Sequence, residues 1–281
     1  MKFSLILGTI GRVLELQRFL DALEHQTHRD FELLVVDQNP DDRLVRILAR
    51  PGTCFPIIHL RSEPGLSRAR NLGLPFAQGE IVGFPDDDCW YSPDLLEGVH
   101  NFFTCHSDAH GLTGRCIDSM GRDSHGRWDT TSGLITPFNV FKRCNSNAIF
   151  LRHHVIERVG KFDEELGVGA QTLWGSGEDT DYILRALTVG FRVFYSPAIK
   201  VYHDNPWALL NRTRLPRWQA YSRGFGRVLR KHHYPFWFVA YQVSRPLGGV
   251  LLALIRGRLR QVRYHALASR GRLQGWTVIP Q

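Results

Sequence analysis

Apolar and polar positions over the first 90 residues alternate between strand-like and helix-like patterns. Four short apolar, β-prone runs predict strands at 2–7, 31–36, 57–60 and 81–84. Apolar residues with helical spacing are found at Leu16, Leu20, Leu23 and across 66–77. Strand–helix–strand units that repeat at this spacing predict an α/β fold, with a mostly parallel central sheet flanked by helices.

Polar residues stand where three of these strands end. Thr9 follows the first strand and Asp37 ends the second, while three consecutive carboxylates, Asp86, Asp87 and Asp88, follow the fourth. In parallel α/β sheets, ligands bind beyond the carboxyl ends of the strands. We therefore expect a ligand site at this edge of the sheet.

The pattern is weaker in the second part of the chain. The stretch 111–141 is rich in Gly, Ser, Thr and Asp and predicts loops and short strands. A glycine-rich loop at 167–177 precedes a predicted helix that ends at Gly190, and Ser176 and Asp179 have the spacing of a helix capping box. The remaining predictions are strands at 147–151, 191–195 and 199–203 and a short helix at 154–159.

The composition is that of a globular protein, with 43% hydrophobic and 22% charged residues. The five cysteines are an odd number without a CxxC pair, which argues against a disulfide framework or a structural zinc site and favours a reducing compartment. The apolar run 3–10 is broken by Gly8 and is short for a signal peptide. We therefore expect the protein to be cytoplasmic.

Charge is distributed unevenly along the chain. After Asp204 there is no Asp or Glu, but there are fourteen basic residues, namely Lys231 and thirteen arginines. The first 204 residues consequently have a net charge of −6. An acid-free basic extension at 206–281 favours an anionic partner.

The apolar stretch 235–255 within this extension is not a clean membrane span. It contains Arg245, Pro246 and a pair of glycines, and a central Arg costs about 2.5–3.5 kcal/mol in a bilayer. Two shorter amphipathic segments in the headgroup region of an anionic membrane fit the pattern, and we expect them on its cytoplasmic face. The alternative is a helical subdomain packed on the acidic body. Nucleic acid is not expected as a partner, because no recognisable reading module accompanies the charge.

The run Asp86-Asp87-Asp88 is the strongest local signal for chemistry. Adjacent carboxylates repel one another unless a cation neutralises them, and Mg²⁺ or Mn²⁺ is bound by a few carboxylates together with substrate phosphates. A solvated acidic turn is the alternative for such a run in isolation. The surrounding motifs favour the metal.

Seven motifs give the chain a resemblance to family 2 glycosyltransferases over about residues 3–204. They are Gly-Thr-x-Gly-Arg at 8–12, Val-Val-Asp at 35–37, Gly-Leu-Ser-Arg-Ala-Arg-Asn-Leu-Gly at 65–73, Asp-Asp-Asp at 86–88, Phe-Asp-Glu-Glu-Leu-Gly at 162–167, Gly-Glu-Asp-Thr-Asp at 177–181 and Val-Tyr-His at 201–203. Each motif is weak alone, but their order is specific. The resemblance implies a GT-A fold, an inverting mechanism and a nucleotide diphosphate sugar as donor.

The resemblance also implies roles at the donor side. Asp37 matches the acid that reads the base, and Thr9 matches the loop beside it. Asp86 and Asp88 match the family's DxD motif, which contacts ribose and metal, and His203 matches a frequent further metal ligand. We therefore predict nucleotide-sugar contacts by Thr9, Gly11, Arg12, Asp37, Arg70, Asp86 and Asp87, and Mg²⁺ or Mn²⁺ ligation by Asp86, Asp88 and His203.

Three of these residues have ordinary structural alternatives. Arg70 could contact the donor phosphates or form a surface ion pair, His203 could be structural, and Asp37 could cap a turn. The family often has Asp-Asp-Gly-Ser where this chain has Asp37-Gln38-Asn39-Pro40. That difference leaves the nucleotide base open, with a UDP-sugar favoured.

The chemistry of sugar transfer calls for the same residue types. A metal stabilises the charge that develops on a departing nucleotide diphosphate, and an acceptor hydroxyl needs a carboxylate to take its proton. Asp179 matches the family's general base, and helix capping is the alternative role for it and for Glu178. We expect acceptor contacts from Glu178 and from Trp174, which could stack on a sugar ring or pack in the core.

Together these observations predict a catalytic domain at 1–205, with a donor half at about 1–90 and an acceptor half at about 91–205, followed by the basic extension. The predicted activity is metal-dependent, inverting transfer of a sugar, a hexosyltransferase-like reaction, to a glycan or lipid-linked acceptor in cell-surface polysaccharide synthesis. A nucleotidyltransferase is the first alternative, but the loop at 8–12 is short for a triphosphate and has no Lys. A non-catalytic membrane scaffold is the second alternative, and the retained carboxylates argue against it.

Overall fold

The structure, a computed structural model, describes residues 1–50, 52–124, 126–204 and 215–278, and these form one nine-stranded sheet with helices on both faces. The strands are β1 (Phe3–Thr9), β2 (Phe31–Asp37), β3 (Ile57–Arg61), β4 (Ile81–Gly83), β5 (Cys89–Tyr91), β6 (Gly111–Ile117), β7 (Gly133–Leu134), β8 (Ile149–Arg152) and β9 (Val193–His203). The strand order is β3-β2-β1-β4-β8-β6-β9-β5, and β7 pairs with β9.

Ten helices lie within the described residues. They are α1 (Leu14–Glu24), α2 (Val45–Leu48), α3 (Leu66–Gly73), α4 (Leu95–Cys105), α5 (Val140–Arg143), α6 (His153–Val159), α7 (Glu178–Thr188), α8 (Leu215–Lys231), α9 (Phe236–Ile255) and α10 (Leu259–Thr277), with 3₁₀ turns at Leu74–Phe76 and Ser146–Ala148. The α/β fold predicted from the sequence is confirmed, and the helical extension is present.

The first four strands run parallel, as their strand–helix–strand pattern predicts. β1 pairs with β2 and β4, and β2 pairs with β3. This register puts Thr9 beside Asp37 and Asp37 beside Arg61 at the carboxyl edge. Both β1 and β2 are buried along their whole length, which explains their continuous apolar sequences.

The second half of the sheet differs from the prediction. A full strand, β6, lies in the stretch expected to hold loops and short strands, and the two strands expected at 191–203 are one strand, β9. The pairing of β6 with β9 shifts register between Thr113 and Arg115, opposite the Ser196-Pro197-Ala198 interruption. Gly114 permits this shift, because a Cβ there would lie 2.4 Å from the carbonyl oxygen of Ile199.

Each face of the sheet has its own apolar core. The core on one face takes side chains from α1 and α4. The other core takes side chains from α3, α6 and α7, and also from the extension, including Val228 and Leu229 of α8 and Phe238 of α9. The extension therefore shares the core of the catalytic body. The predicted boundary at residue 205 lies outside the described residues.

Ion pairs between α8 and the body reinforce this shared core. Lys231 Nζ lies 2.6 Å from Asp163 and 2.8 Å from Asp181, and His232 Nε2 lies 2.8 Å from the same oxygen of Asp181. Arg227 lies 3.8 Å from Glu165. Basic residues of the extension thus pair with acids of the body, as the packed-subdomain alternative requires.

The stretch expected to form two short amphipathic segments is one helix, α9, which continues through Pro246. Proline lacks the N–H that would bond to the carbonyl of Gln242, four residues earlier. Arg272 of α10 supplies the missing donor, since its Nη1 lies 2.6 Å from that oxygen. Among the described residues α9 alone is long and apolar enough to cross a membrane, with a mean hydropathy of 1.5 and 28% of it buried. Length and composition alone do not establish a span.

Candidate active site

A cleft of about 560 Å³ opens at the carboxyl edge of the sheet, where the sequence predicts the ligand site. Its walls come from the ends of β1 and β2, the acidic run after β4, the turn around Ser146, the start of α7, and α8. The volume is typical of a small-molecule site. The predicted residues that line it are Arg12, Asp86, Asp87, Asp88, Glu178, Asp179 and His203.

The two predicted contacts at the ends of β1 and β2 lie behind this wall. Thr9 is 1% exposed and Asp37 is fully buried. One oxygen of Asp37 accepts hydrogen bonds from the backbone and side-chain nitrogens of Asn39, and the other lies 3.0 Å from His59 Nε2. Asp37 therefore orders the loop after β2, and its neighbour Gln38 faces the cleft. The contact of Asp37 with the nucleotide base stays a prediction. In the arrangement described, both carboxylate oxygens already have partners within the protein.

Gly11 has φ +71° and no atom within 4 Å of where its Cβ would be. Its backbone N–H donates to Asn39 at 2.7 Å, so the β1 loop is tied to the β2 loop. A left-handed backbone of this kind favours glycine. The tie places the following residue, Arg12, over the acidic run.

Two arginines and one histidine contact the acidic run. Arg12 Nη1 lies 2.5 Å from both Asp87 and Asp88, and His203 Nε2 lies 3.0 Å from Asp88. Burial raises the pKa of Asp87 to about 6 even though Arg12 opposes the shift. Burial lowers the pKa of His203, but the hydrogen bond and charge of Asp88 outweigh it, so the pKa of His203 is raised.

Asp86 and Glu178 share the second arginine, Arg70, whose side chain is 1% exposed. Arg70 Nη2 lies 3.4 Å from Asp86, and Nη1 lies 3.6 Å from Glu178. These contacts are long, and Arg70 Nε and Nη1 and one oxygen of Glu178 have no hydrogen-bond partner among the described residues. The surface ion pair considered for Arg70 is therefore excluded, because this guanidinium lies beneath the cleft floor.

The residues present fit a divalent cation by their chemistry. In the described ranges no group of three or more His, Cys, Asp or Glu side chains is assembled as a metal site. Asp86, Asp88 and His203 nevertheless all line the cleft, and the two carboxylates offer the oxygen ligands that Mg²⁺ and Mn²⁺ prefer. A cation held there would replace Arg12 as the counter-charge of Asp88.

The start of α7 gives its acidic residues three different environments. Glu178 is buried beside Arg70, and burial with the charge of Asp179 raises its pKa to about 7. Asp179 lines the cleft, and one of its oxygens accepts a hydrogen bond from the backbone of Thr180 at 2.6 Å. Burial raises the pKa of Asp179 as well. Asp181 is fully buried and faces α8 instead.

The capping box expected at this helix is absent. The N-cap residue of α7 is Gly177, at φ 98°, and it makes no side-chain cap hydrogen bond. Ser176 Oγ donates instead to the backbone carbonyl of Tyr221 in α8, at 2.8 Å. The spacing of Ser176 and Asp179 predicted a local cap, but the Ser176 hydroxyl is hydrogen-bonded to α8, which is distant in sequence.

The stacking role expected for Trp174 is also corrected. Its side chain is 6% exposed within the core, and Arg227 of α8 lies 4.6 Å from the ring centroid. Trp174 therefore anchors the extension and does not line the cleft. The aromatic residues that do line the cleft are Trp128, Phe141, Tyr221 and Phe225.

Sequence reasoning missed the contribution of α8 to the site. Arg217, Tyr221, Phe225 and Val228 line the cleft from one face of this helix. Their spacing of four, four and three residues is that of a helix face, so the signal was present in the sequence. Ser146, which lies 3.3 Å from Asp86, carried no such signal.

Solved structures share this fold. S. aureus TarS 1–349 in complex with UDP-GlcNAc is similar, with a TM-score of 0.64, 17% identity and coverage of 96% of this chain and 92% of that one. The mannosyltransferase PcManGT from Pyrobaculum calidifontis, in complex with GDP-Man and Mn²⁺, has a TM-score of 0.63, 17% identity and coverage of 97% and 87%. The fold is therefore that of GT-A glycosyltransferases.

The model of Glycosyl transferase family 2 matches residues 4–162, and the chain belongs to this family. Glycosyltransferase AglE of Haloferax volcanii is 28% identical over 182 residues, which cover 61% of this chain and 59% of AglE. A PGL/p-HBAD biosynthesis glycosyltransferase of Mycobacterium tuberculosis is 30% identical over 57% of this chain and 63% of its own length. The chain thus spans about three fifths of each of these two relatives.

Proposed function

We propose that the protein transfers a sugar from a nucleoside diphosphate sugar to an acceptor hydroxyl with inversion at the anomeric carbon. One observation carries the proposal: Asp179 shares a cleft with Asp86 and Asp88 at the carboxyl edge of a family 2 fold. The structural neighbours bind UDP-GlcNAc, UDP and GDP-Man, which supports a nucleotide sugar as donor. Family membership favours sugar transfer over the nucleotidyl transfer considered from the sequence.

The acidic run fits the leaving group of such a reaction. A divalent ion held by Asp86, Asp88 and His203 would supply positive charge for the departing diphosphate. The Mn²⁺ complex of PcManGT supports the use of a metal. Arg12 adds a cation at the same edge of the cleft, 2.5 Å from Asp88. Its charge would serve the diphosphate when a metal neutralises Asp88.

Asp179 is the carboxylate that we propose as general base. It faces the cleft, whereas Glu178 is covered and Asp181 is held by α8. The hydrogen bond from Thr180 fixes one oxygen of Asp179 and leaves the second for the acceptor proton. Direct attack by the activated hydroxyl needs one base and no enzymic nucleophile, so inversion follows.

The test of this proposal is a panel of UDP- and GDP-sugars with Mn²⁺ or Mg²⁺, scored for release of nucleotide diphosphate. We expect Asp179→Asn to keep nucleotide affinity and to lose about 10²- to 10⁴-fold in rate. Asp108→Asn, which changes an exposed ion pair with Arg192, is the matched control and should keep its rate. An Asp179→Asn enzyme with the full rate, or a product that retains the donor's configuration, would contradict the mechanism.

We also propose that the protein works on the cytoplasmic face of a membrane, on a lipid-linked glycan acceptor in cell-surface polysaccharide synthesis. The support is an exposed apolar stripe on α9, followed by arginines and without a single acid. Trp237 is 63% exposed, Leu251 62% and Ile255 74%. A lipid surface would cover such a stripe and attract the basic residues around it.

Vesicle sedimentation tests this location with the full chain. We expect binding to vesicles that contain phosphatidylglycerol and a decrease of about 10- to 100-fold in Leu251→Glu, because one buried Leu contributes about 1.5–3 kcal/mol. Leu14→Glu changes a leucine that is 77% exposed on α1 and is the matched control. If the wild-type protein stays in the supernatant at low salt, the location is wrong.

A further inference from the structure

The extension forms one wall of the cleft, and that wall differs chemically from the donor side. Arg217, Tyr221 and Phe225 point along one face of α8, and Phe141 of α5 packs on Phe225 with ring centroids 4.5 Å apart. Trp128 completes the aromatic lining. At the ends of β1 and β2 the lining contains no aromatic residue and consists of Gly8, Ile10, Arg12 and Gln38.

The position of Asp179 indicates whether the α8 wall contacts the donor or the acceptor. Backbone groups at the ends of β1 and β2 and the acidic run lie on the donor side, whereas the proposed base starts α7, directly against α8. Gly175 donates its N–H to the carbonyl of Ala220 at 3.1 Å, so the loop before the base follows α8 closely. A hydroxyl that approaches Asp179 therefore passes along α8.

Arg217 is the feature of this wall that selects a ligand. Its Nε lies 2.7 Å from the hydroxyl of Tyr221, which orients the guanidinium, and among the described residues no hydrogen bond is made by its two terminal nitrogens. Arg12 and Arg70, the other arginines that line or underlie the cleft, are paired with carboxylates. Within the described part of the chain, no carboxylate pairs with Arg217. An oriented, exposed guanidinium binds phosphate in a bidentate manner.

We propose that the α8 wall is the acceptor subsite and that its ligand is a sugar that carries a phosphate. Arg217 binds the phosphate, and the aromatic residues contact the apolar C–H face of the sugar ring. The burial of Tyr221 raises the pKa of its hydroxyl, and the oxygen of this phenol accepts the hydrogen bond from Arg217 Nε. The inference rests on the proposed function and adds the chemical class of the acceptor.

The probe for this subsite is inorganic phosphate, titrated by ³¹P NMR into full-length protein that is already saturated with UDP or GDP and Mg²⁺. We expect saturable phosphate binding that Arg217→Gln weakens about 10-fold or more, the loss of one charged hydrogen-bonded contact. Arg230→Gln makes the same charge change on an exposed position of α8 outside the cleft and should leave the affinity unchanged. Tyr221→Phe keeps the ring, removes the partner of Nε and should cause a smaller loss.

The sugar contact is tested with glucose, galactose and mannose 1-phosphates. We expect at least one to bind more tightly than inorganic phosphate, and Phe225→Leu to remove the difference. Equal phosphate affinity in Arg217→Gln and wild type would overturn the subsite. Phosphate binding that is seen only with nucleotide-free protein, and not after saturation with UDP or GDP, would also overturn it, because it would assign Arg217 to the donor. Failure to bind any nucleotide diphosphate would instead overturn the proposed function, so the two failures are distinguishable.

Discussion

Substitution of Asp181 tests how much the contacts between the extension and the body contribute to the free energy of unfolding. Its carboxylate is fully buried and contacts Lys231 and His232 of α8, both at 2.8 Å, and Arg185 of its own helix at 3.0 Å. Burial raises the pKa of Asp181, but the hydrogen bonds from His232 and Lys231 outweigh it, and the pKa falls to about 2. Asp181→Asn removes the charge with little change in shape.

The pKa gives the size of the effect. A fall from 3.8 to about 2 corresponds to roughly 2.4 kcal/mol of stability at neutral pH. Loss of one partner from a buried ion pair costs about 3–5 kcal/mol, because the remaining charges are left buried. We therefore expect Asp181→Asn to lose about 2–4 kcal/mol in free energy of unfolding at pH 7, measured by urea denaturation.

The pH dependence has a definite sign. A lowered carboxyl pKa stabilises the fold above the unfolded value near 3.8, and this contribution is lost as pH falls from 3.8 through about 2. The difference between wild type and Asp181→Asn should therefore shrink as the pH approaches 2. Asp163→Asn is the control, since Asp163 binds the same Lys231 but is partly exposed, and it should lose less than about 1 kcal/mol. Equal losses in the two variants at pH 7 would refute the reasoning.

Three further predictions concern packing and protonation. Gly224→Ala should lower the melting temperature, because a Cβ there would lie 2.1 Å from the Ser176 carbonyl oxygen. Gly248→Ala is the control: a Cβ there has no atom within 4 Å, and the variant should raise the free energy of unfolding by about 0.5–1 kcal/mol. Arg272→Met should lose about 1–3 kcal/mol in urea denaturation, because the α9 carbonyl beside Pro246 loses its donor. Burial raises the pKa of Glu178 to about 7, so the free energy of unfolding should fall as the pH rises from about 4.5 through 7. Glu178→Gln should show a smaller fall when the free energy of unfolding is compared at pH 5 and pH 7.5.

The parallel half of the fold could be predicted from the sequence because its signals are local. Strands such as β2 are largely apolar, since helices cover both faces, and the polar residues at their ends mark the carboxyl edge. The cleft that contains Asp86, Asp88 and Asp179 lies where this reasoning places it. No local pattern connects the acidic run with α7. The order of the family's motifs along the chain provided that connection.

The missed features depend on contacts between distant segments. β6 contains Gly111, Gly114 and Arg115, so it has no apolar alternation, and its place between β8 and β9 is what makes it a strand. Trp174 lies in a polar loop and seemed available to a ligand, but Arg227 covers its ring. The α8 wall was missed because its charge was interpreted as a signal for an anionic membrane or for packing on the acidic body, and not as part of a ligand site.

The contact between α8 and the loop before Asp179 has a consequence for synthesis of the chain. A nascent protein that ends at residue 204 already contains all seven family motifs, but the loop at 175–177 still lacks Ala220 and Tyr221, which hold it. Because translation proceeds from the N-terminus, the loop before Asp179 can reach these contacts only after α8 has been synthesised. A ribosome-bound chain that ends before α8 therefore lacks one wall of the cleft.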